Sequence, residues 1–283
     1  MIVSQAYDRT MSALDMNGIE EASLEAELLL IGVLGIDRST LLAYPDRTIT
    51  SVECLVLHDW INRRIGGEPL SYISGHREFY GLDLIVNHGT FIPRPETETL
   101  VDLALDITGK FTGNKPLCIV DIGTGSGAIA VALATRLSMA RIYATDISRC
   151  ALSIAKLNAK RHGVKDKVVF LQGDLLDPLQ GKVDIVVSNP PYIPTSEIQY
   201  LQNEVQREPS TALDGNSDGL AVISAIMSQV PKKIKKPGYL VMEIGHDQAD
   251  RVGVLAKDLL PPHVLTVHQD LAGVSRFVMA SIN

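Results

Sequence analysis

The chain has 283 residues and a mass of 30.7 kDa, which exceeds one average domain and predicts one large and one small domain. Apolar residues make up 46% of the sequence and charged residues 21%, a composition typical of folded globular proteins and not of disordered ones. The net charge of −7 provides no overall basic field for a polyanion, so we expect no stable binding of nucleic acid.

The cysteines and the apolar stretches indicate the cellular compartment of the protein. Cys54, Cys118 and Cys150 have no C-x-x-C spacing, which fits a reduced cytosol. The longest apolar stretch, residues 28–36, is too short to span a bilayer, and residues 1–16 carry charges instead of a signal-peptide core. We therefore expect a cytoplasmic protein without membrane binding. The histidines show no ligand spacing and predict no metal site.

A small helical domain is predicted for residues 1–75. Apolar residues such as Leu24 and Leu28 recur at helical spacing. A further helix is expected from about residue 52 to residue 65, where Gly66-Gly67 would end it. Nothing in the sequence demands more than a monomer.

Residues 76–92 predict a linking β-hairpin, because two short β-prone runs flank Gly81. From residue 93 to residue 283 strands and helices alternate, which predicts a parallel, doubly wound α/β sheet. The last two strands leave no room for a helix between them, so we expect an antiparallel pair there. Residues 232–236, rich in lysine, are expected to end a helix before Pro237-Gly238. The predicted strands are 117–121, 141–145, 168–171, 183–188, 239–243, 263–267 and 275–280, and the predicted helices are 128–137, 151–162, 219–234 and 248–259.

A glycine-rich loop follows the first strand of this region. Residues 121–127 read Asp-Ile-Gly-Thr-Gly-Ser-Gly, and such small residues let the backbone approach a ligand and direct its amides at it. The residues expected to contact a cofactor here are Gly123, Thr124, Gly125, Ser126 and Gly127. Gly123, Gly125 and Ala128 also fit G-x-G-x-x-A, so a nicotinamide-dependent dehydrogenase is one alternative, and a tight strand–helix turn without a ligand is another.

Two aspartates follow the next two strands. Asp146 stands about twenty residues beyond the glycine loop, where a carboxylate can bind both ribose hydroxyls of a nucleotide-like cofactor. Its structural alternative is a helix cap. Asp174 is a candidate for the adenine edge, with a loop-solvating aspartate as the alternative.

Asn189-Pro190-Pro191-Tyr192 stands at the end of the fourth strand, where open α/β sheets bind their ligands. Asn189 offers a side-chain carbonyl, Pro190 a backbone carbonyl and Tyr192 an aromatic face, which together suit a planar NH2 group. Pro190 and Pro191 stiffen the loop. We therefore predict Asn189, Pro190 and Tyr192 as catalytic residues, with Pro191 as a further contact to the substrate. A rigid turn with an incidental Asn and Tyr is the alternative.

These motifs together resemble the amino-methylating class of S-adenosylmethionine-dependent methyltransferases. Further segments extend the resemblance over nearly the whole chain, to the peptide chain release factor glutamine methyltransferases of the PrmC/HemK family. These segments are Glu68-Pro69, Tyr72-Ile73, Ile92-Pro93-Arg94-Pro95-Glu96-Thr97-Glu98, Glu208-Pro209 and Asp218-Gly219-Leu220.

The resemblance implies an activity. A methyl group would pass from S-adenosyl-L-methionine to the side-chain amide nitrogen of the glutamine in the Gly-Gly-Gln loop of a release factor, leaving S-adenosyl-L-homocysteine. It also implies a Rossmann-like sheet of seven strands in residues 93–283 and a domain in residues 1–75 that docks the release factor.

The resemblance assigns residues to both ligands. Residues 123–127, Asp146 and Asn189 would contact the cofactor, and residues 189–192 the glutamine. The family often has an aromatic residue after Gly173-Asp174, whereas this chain has Leu175, so we expect apolar packing on the adenine without ring stacking. Arg94 is expected at the mouth of the site, with a solvated loop residue as the alternative.

Three other functions stay open at this point. Another amide methyltransferase, such as one acting on a glutamine of a ribosomal protein, would use the same chemistry. An adenine-amino DNA or RNA methyltransferase presents a similar NH2 group to the enzyme, but the net charge of −7 disfavours it. A binding module without catalysis would keep the cofactor pocket and dock a partner through the helical domain.

Overall fold

The computed structural model describes residues 1–111 and 116–283, which form two compact units. The first unit comprises Met1–His76 together with Gln202–Arg207, and the second comprises Arg77–Leu201 together with Glu208–Asn283. Sequence reasoning did not anticipate that the short segment 202–207 belongs with the helical unit. Among the described residues, no helix has the length and apolar character needed to cross a bilayer.

The first unit is helical. Its helices have clear start and stop signals: Asp37 accepts a hydrogen bond from the amide of Thr40 at 2.7 Å, Thr50 and Glu53 form a capping box, and Gly35 ends a helix in the left-handed conformation at φ 61°. The helices are α1 (Val3–Met16), α2 (Ala22–Leu34), α3 (Arg38–Ala43), α4 (Ser51–Ile65) and α5 (Leu70–Ser74).

A buried arginine ties segment 202–207 to these helices. The Arg64 side chain is 4% exposed and pairs with Glu25 of α2 at 2.6 Å and with Glu204 at 2.5 Å. Arg207 of the same segment donates a hydrogen bond to the carbonyl of Gly66. Removing one partner of a buried charge is strongly destabilising, so the Arg64–Glu204 pair fixes the segment on the unit.

The hairpin predicted in residues 76–92 is present as β1 (His76–Phe79) and β2 (Leu82–Ile85). Tyr80 and Gly81 form its turn with φ 56° and 75°, which matches the two-residue turns that suit twisted antiparallel strands.

The second unit contains a sheet of seven strands in the order β5-β4-β3-β6-β7-β9-β8. All neighbours are parallel except β9, which runs antiparallel to both β7 and β8, so the predicted α/β fold and its antiparallel final pair are confirmed. Strand β4 lies on one side of β3 and β6 lies on the other, so the order of the strands reverses at β3. This reversal creates a switch point at the carboxyl ends of these strands. The strands are β3 (Leu117–Ile122), β4 (Ala140–Asp146), β5 (Val168–Gln172), β6 (Val183–Ser188), β7 (Ile234–Glu243), β8 (His263–Gln269) and β9 (Ser275–Ile282).

Helices cover both faces of this sheet. One buried cluster joins the three helices between residues 98 and 161 to strand residues such as Ile119 and Val187. The other joins the two helices between residues 221 and 259 to strand residues such as Val120 and Leu240. Every residue of β6 is buried, which explains its continuous apolar run in the sequence. The helices are α6 (Glu98–Thr108), α7 (Ala128–Arg136), α8 (Arg149–Arg161), α9 (Ala221–Lys233) and α10 (Ala249–Leu259).

The lysine-rich run is divided between a helix and a strand, in contrast to the prediction. Helix α9 ends at Lys233, and β7 begins at Ile234 instead of residue 239. Lys235 therefore lies in the sheet, where its Nζ is 2.8 Å from Oδ2 of Asp184 on β6. The neighbouring carboxylate makes a strand position acceptable to a lysine that the sequence predicts at the end of a helix.

Candidate active site

The switch point of the sheet contains a cavity of about 470 Å³. Its walls come from loops that follow β3, β4, β5 and β6, and from the chain between residues 88 and 97. Most of the residues predicted from the sequence lie together in this wall. They are Gly123, Thr124, Gly125, Ser126, Asp146, Asp174, Leu175, Asn189, Pro190, Pro191 and Tyr192.

Backbone hydrogen bonds fold the glycine loop over the end of β4. The amides of Gly123 and Thr124 both donate to the carbonyl of Thr145, at 2.9 and 3.0 Å. Gly123 and Gly125 have φ 67° and 56°, a left-handed conformation that side chains disfavour. The glycines therefore allow the left-handed backbone of the loop, and their lack of a side chain lets a ligand approach closely.

Asp146 holds the same loop by its carboxylate. Oδ2 accepts a hydrogen bond from the amide of Gly125 at 2.9 Å, and Oδ1 accepts one from the amide of Ser148 at 2.8 Å. The helix cap itself is Ser148, whose hydroxyl accepts from the amide of Ala151 at 3.2 Å. Burial raises the pKa of Asp146, while the backbone hydrogen bonds lower it. Each carboxylate oxygen has a further lone pair for a ligand hydroxyl.

Two buried polar atoms beside the loop have no hydrogen-bond partner among the described residues: Asp121 Oδ1 and Thr145 Oγ1. Asp121 Oδ2, by contrast, accepts from the Thr124 hydroxyl at 2.6 Å and from the amide of Ala130 at 3.2 Å. Burial raises the pKa of Asp121 to about 7. Thr145 lines the cavity but is fully buried, so its unpaired hydroxyl lies beneath the cavity surface.

Leu175 lines the cavity in a left-handed conformation, with φ 45°. That conformation is uncommon for a side chain with a Cβ, and such residues cluster at ligand sites. Asp174 precedes it in the same wall. The structure thus places both predicted adenine contacts in the cavity.

Gly127 and Arg94 do not lie in the cavity wall. A Cβ on Gly127 would lie 3.0 Å from Cβ of Ala155, so this glycine allows the start of α7 to pack on α8. The guanidinium of Arg94 stacks over the ring of Phe91 at 4.8 Å and pairs with the carboxylate of Glu208.

Glu208 is a functional residue whose task the sequence did not reveal. Its side chain is 1% exposed, and its second oxygen accepts from the amide of Ile92 at 2.9 Å. Burial raises the pKa of Glu208, and the charge of Arg94 opposes that rise. Phe91, Pro93 and residues 211–213 line the cavity on either side of this ion pair. The pair therefore holds two walls together.

A network of side chains surrounds Asn189 and Tyr192. Asn189 Nδ2 donates to Oγ1 of Thr97 at 3.1 Å, and the Thr97 hydroxyl donates to Oε2 of Glu243 at 2.7 Å. The Tyr192 hydroxyl donates to Oε1 of the same glutamate at 3.1 Å. Glu243 is 2% exposed, and burial raises its pKa. Burial and the charge of Glu243 also raise the pKa of Tyr192, which keeps its phenol protonated.

The backbone of the Asn-Pro-Pro-Tyr loop is held from the other side. Gln248 Nε2 donates to the carbonyl of Tyr192 at 2.9 Å and to that of Gly219 at 3.3 Å. A Cβ on Gly219 would lie 2.3 Å from the Tyr192 carbonyl oxygen. The motif Asp218-Gly219-Leu220 thus places a glycine where a side chain would collide with the backbone of the Asn-Pro-Pro-Tyr loop. In the described part of the chain, no cluster of His, Cys, Asp or Glu could hold a metal ion.

Two family models match the chain. Residues 5–75 match the PrmC N-terminal domain, and residues 108–242 match the methyltransferase small domain. The release factor glutamine methyltransferase of Moorella thermoacetica is 39% identical over 281 residues, which cover 99% of this chain and 98% of that protein. The protein of the same name from Bacillus anthracis is 36% identical over 286 residues and is covered in full, as is this chain.

Solved structures of low identity share the fold. The hMettl16 catalytic domain in complex with a 3′UTR hairpin has a TM-score of 0.59 at 15% identity, with 83% of each chain covered. The T. thermophilus 16S rRNA methyltransferase RsmC, in complex with AdoMet and guanosine, has a TM-score of 0.50 at 15% identity, with 74% of this chain and 50% of that chain covered. These similarities show that the chain shares its fold with methyltransferases of known structure. With full-length relatives well above 30% identity, the chain belongs to the release factor glutamine methyltransferase family.

Proposed function

We propose that this protein transfers a methyl group from S-adenosyl-L-methionine to the side-chain amide nitrogen of the glutamine in the Gly-Gly-Gln motif of peptide chain release factors. The observation that carries the proposal is that residues 123–126, Asp146 and the whole of residues 189–192 line the same cavity. Family membership supports the release factor as the substrate, because relatives that this chain matches over nearly their full length are named release factor glutamine methyltransferases.

The cofactor end of the cavity fits S-adenosyl-L-methionine. The loop 123–126 lets a ligand approach its backbone closely, and Asp146 has lone pairs for ribose hydroxyls. Asp174 and Leu175 would meet the adenine edge and face. When bound, the cofactor supplies a methyl group on a positively charged sulfur, which is a strong leaving group.

The residues at the other end orient the substrate amide. An amide nitrogen is a poor nucleophile because its lone pair is delocalised into the carbonyl. Asn189 Oδ1 and the Pro190 carbonyl accept no hydrogen bond from the described residues, so both can accept the two hydrogens of a glutamine NH2. These acceptors hold the nitrogen in line for methyl transfer and stabilise the positive charge that develops on it. Tyr192 packs its ring on the amide plane, and the proton leaves to water.

The helical region 1–75 docks the release factor, the hairpin region 76–92 links it to the catalytic region 93–283, and the protein acts as a monomer in the cytoplasm. Docking remote from the reacting glutamine uses binding energy to position it, so a short Gly-Gly-Gln peptide should be a poor substrate. The match of residues 5–75 to a domain model of this family supports the assignment.

The test is a methyl-transfer assay with radiolabelled S-adenosyl-L-methionine. The substrates are a release factor, the same factor with its Gly-Gly-Gln glutamine replaced by alanine, a mixture of ribosomal proteins, and duplex DNA. We expect label on the intact release factor alone. Label on a ribosomal protein or on DNA would replace the proposed substrate, and cofactor binding without any transfer would favour a binding module.

A further inference from the structure

The side-chain amide of Asn189 has two ends of similar shape and opposite function. Its oxygen accepts a hydrogen from a substrate NH2 group, whereas its nitrogen can only donate. Rotation by half a turn exchanges them at little steric cost, so the shape of the site does not select one orientation. The neighbours of the amide must select it.

Thr97 is the neighbour that makes this selection. Its Oγ1 lies 3.1 Å from Asn189 Nδ2 and 2.7 Å from Glu243 Oε2. A hydroxyl has one proton, and a carboxylate only accepts while it is ionised, so the Thr97 proton is committed to Glu243 in the ionised form. Thr97 then presents a lone pair to Asn189, and only the NH2 end of the amide can pair with it.

We propose that Thr97 and Glu243 are positioning residues that set the polarity of the Asn189 amide and so leave its Oδ1 to accept a hydrogen from the substrate NH2 group. The inference rests on the proposed function, because it assigns a purpose to an acceptor that a glutamine amide would use. The two residues act through Asn189 and take no part in bond making.

Protonation of Glu243 would reverse the chain of hydrogen bonds. A neutral Glu243 can donate to Thr97, whose own proton then points to Asn189 and pairs with Oδ1. The charged groups that act on Glu243 are Arg276 of β9, which favours the ionised form, and Glu96, which opposes it. The Tyr192 hydroxyl also donates to it, and burial favours the neutral form. Activity should therefore fall on the acid side as Glu243 takes up a proton.

The first test compares Thr97→Val, which lacks the hydroxyl, with Thr97→Ser, which restores it. For Thr97→Val we expect kcat on the release factor to fall roughly tenfold or more, as for a displaced hydrogen-bond partner in a preorganised site. Cofactor affinity and the KM for the release factor should change little, and Thr97→Ser should recover most of the rate. Thr10→Val is the matched control, because Thr10 is equally buried in α1 and bonds only its own helix.

The second test observes the amide directly and does not depend on turnover. In protein labelled with ¹⁵N-asparagine, the side-chain NH2 resonance of Asn189 is assigned by its loss in Asn189→Asp. We expect slow deuterium exchange in the wild type and in Thr97→Ser, and fast exchange in Thr97→Val. The resonance should also follow the titration of Glu243, and Glu243→Gln should abolish both this dependence and the acid limb of the rate profile.

The outcomes separate the inference from the function on which it rests. If the wild type methylates the release factor while Thr97→Val keeps its kcat and its protected amide, the inference is wrong and the function stands. If the wild type transfers no methyl group to the release factor, the proposed function fails, and the exchange data still decide how the amide is held. An unchanged rate profile in Glu243→Gln would also overturn the inference.

Discussion

The two ends of the cavity are held in place in different ways. At the cofactor end, the glycine loop is held by backbone groups and by Asp146, all within a stretch of about twenty-five residues. At the acceptor end, Asn189 and Tyr192 are held by Thr97, Glu243 and Gln248, which come from distant parts of the chain. The cofactor end is thus a local motif, whereas the acceptor end exists only in the folded unit. Changes at the two ends should therefore have different consequences.

Asn189→Ala is expected to give the largest difference between the loss in kcat and the loss in cofactor affinity. Loss of the side-chain acceptor should reduce kcat on the release factor about a hundredfold or more, the size of effect seen when a preorganised hydrogen-bonding group is removed. Cofactor affinity should fall much less, because the glycine loop and Asp146 remain. Single-turnover methylation and calorimetry with S-adenosyl-L-methionine measure the two quantities. Equal losses in both would contradict the division between the ends.

Gly219→Ala should damage the acceptor end through its backbone. The new Cβ would lie 2.3 Å from the carbonyl oxygen of Tyr192, at a residue with φ 75°. We expect a loss of about 2 to 4 kcal/mol in the free energy of unfolding, from the left-handed strain plus overpacking, and a reduced kcat. Chemical denaturation and the methylation assay measure the two effects.

Gly163→Ala is the control for Gly219→Ala. Gly163 has φ 70° with nothing within 4 Å of its added Cβ, so it carries the strain without the clash. It should cost only about 1 kcal/mol and leave kcat unchanged. If the two variants behave alike, the close approach at Tyr192 does not matter and the acceptor end is less tightly held than its geometry indicates.

The same contrast explains what could be predicted from the sequence. The strands, the glycine loop and residues 189–192 are local patterns, and the structure brings them together where the sequence placed them. Thr97 and Glu208 stand in segments that carry the resemblance, and Gln248 stands in none. The tasks of all three could not be predicted, because their partners lie far away in the chain. The start of β7 at Ile234 was missed for the same reason, since Asp184 on a neighbouring strand accommodates Lys235.

Two residues of local motifs also have roles that the motif alone does not give. Gly127 completes the glycine-rich run, but its missing Cβ serves the packing of α7 on α8. Arg94 stands in a loop that lines the cavity, but its guanidinium forms an ion pair with Glu208. A motif predicts which segment forms a site, and the contacts made in the fold decide what each residue does there.

A pH-dependent stability is expected from Asp121 at the cofactor end. Its pKa rises from 3.8 to about 7 on folding because the carboxyl is buried. Between these values the unfolded chain ionises while the folded chain keeps the proton, so this group lowers the stability progressively as pH rises through that range. Asp121→Asn lacks the effect. Its stability relative to the wild type should improve by about 1 to 3 kcal/mol between pH 5 and pH 8.

Urea denaturation of both proteins across this range checks the prediction for Asp121. The pKa values of Asp146, Glu208 and Glu243 are also raised by burial, but these groups are present in both proteins and largely cancel in the difference. A difference that stays constant with pH would mean that Asp121 is already ionised in the folded protein at pH 5.

The smallest effect, and the most specific to the cofactor end, is expected from Asp146→Asn. Asparagine has one acceptor oxygen, whereas Asp146 uses two, toward the amides of Gly125 and Ser148. One of these amides would face an NH2 group, which should loosen the glycine loop and weaken cofactor binding roughly tenfold with little change in kcat at saturation. Asp174→Asn removes the same charge from the same wall. Because Asp174 does not hold the loop, it should weaken binding less, and equal losses would show that charge, not loop geometry, governs this end.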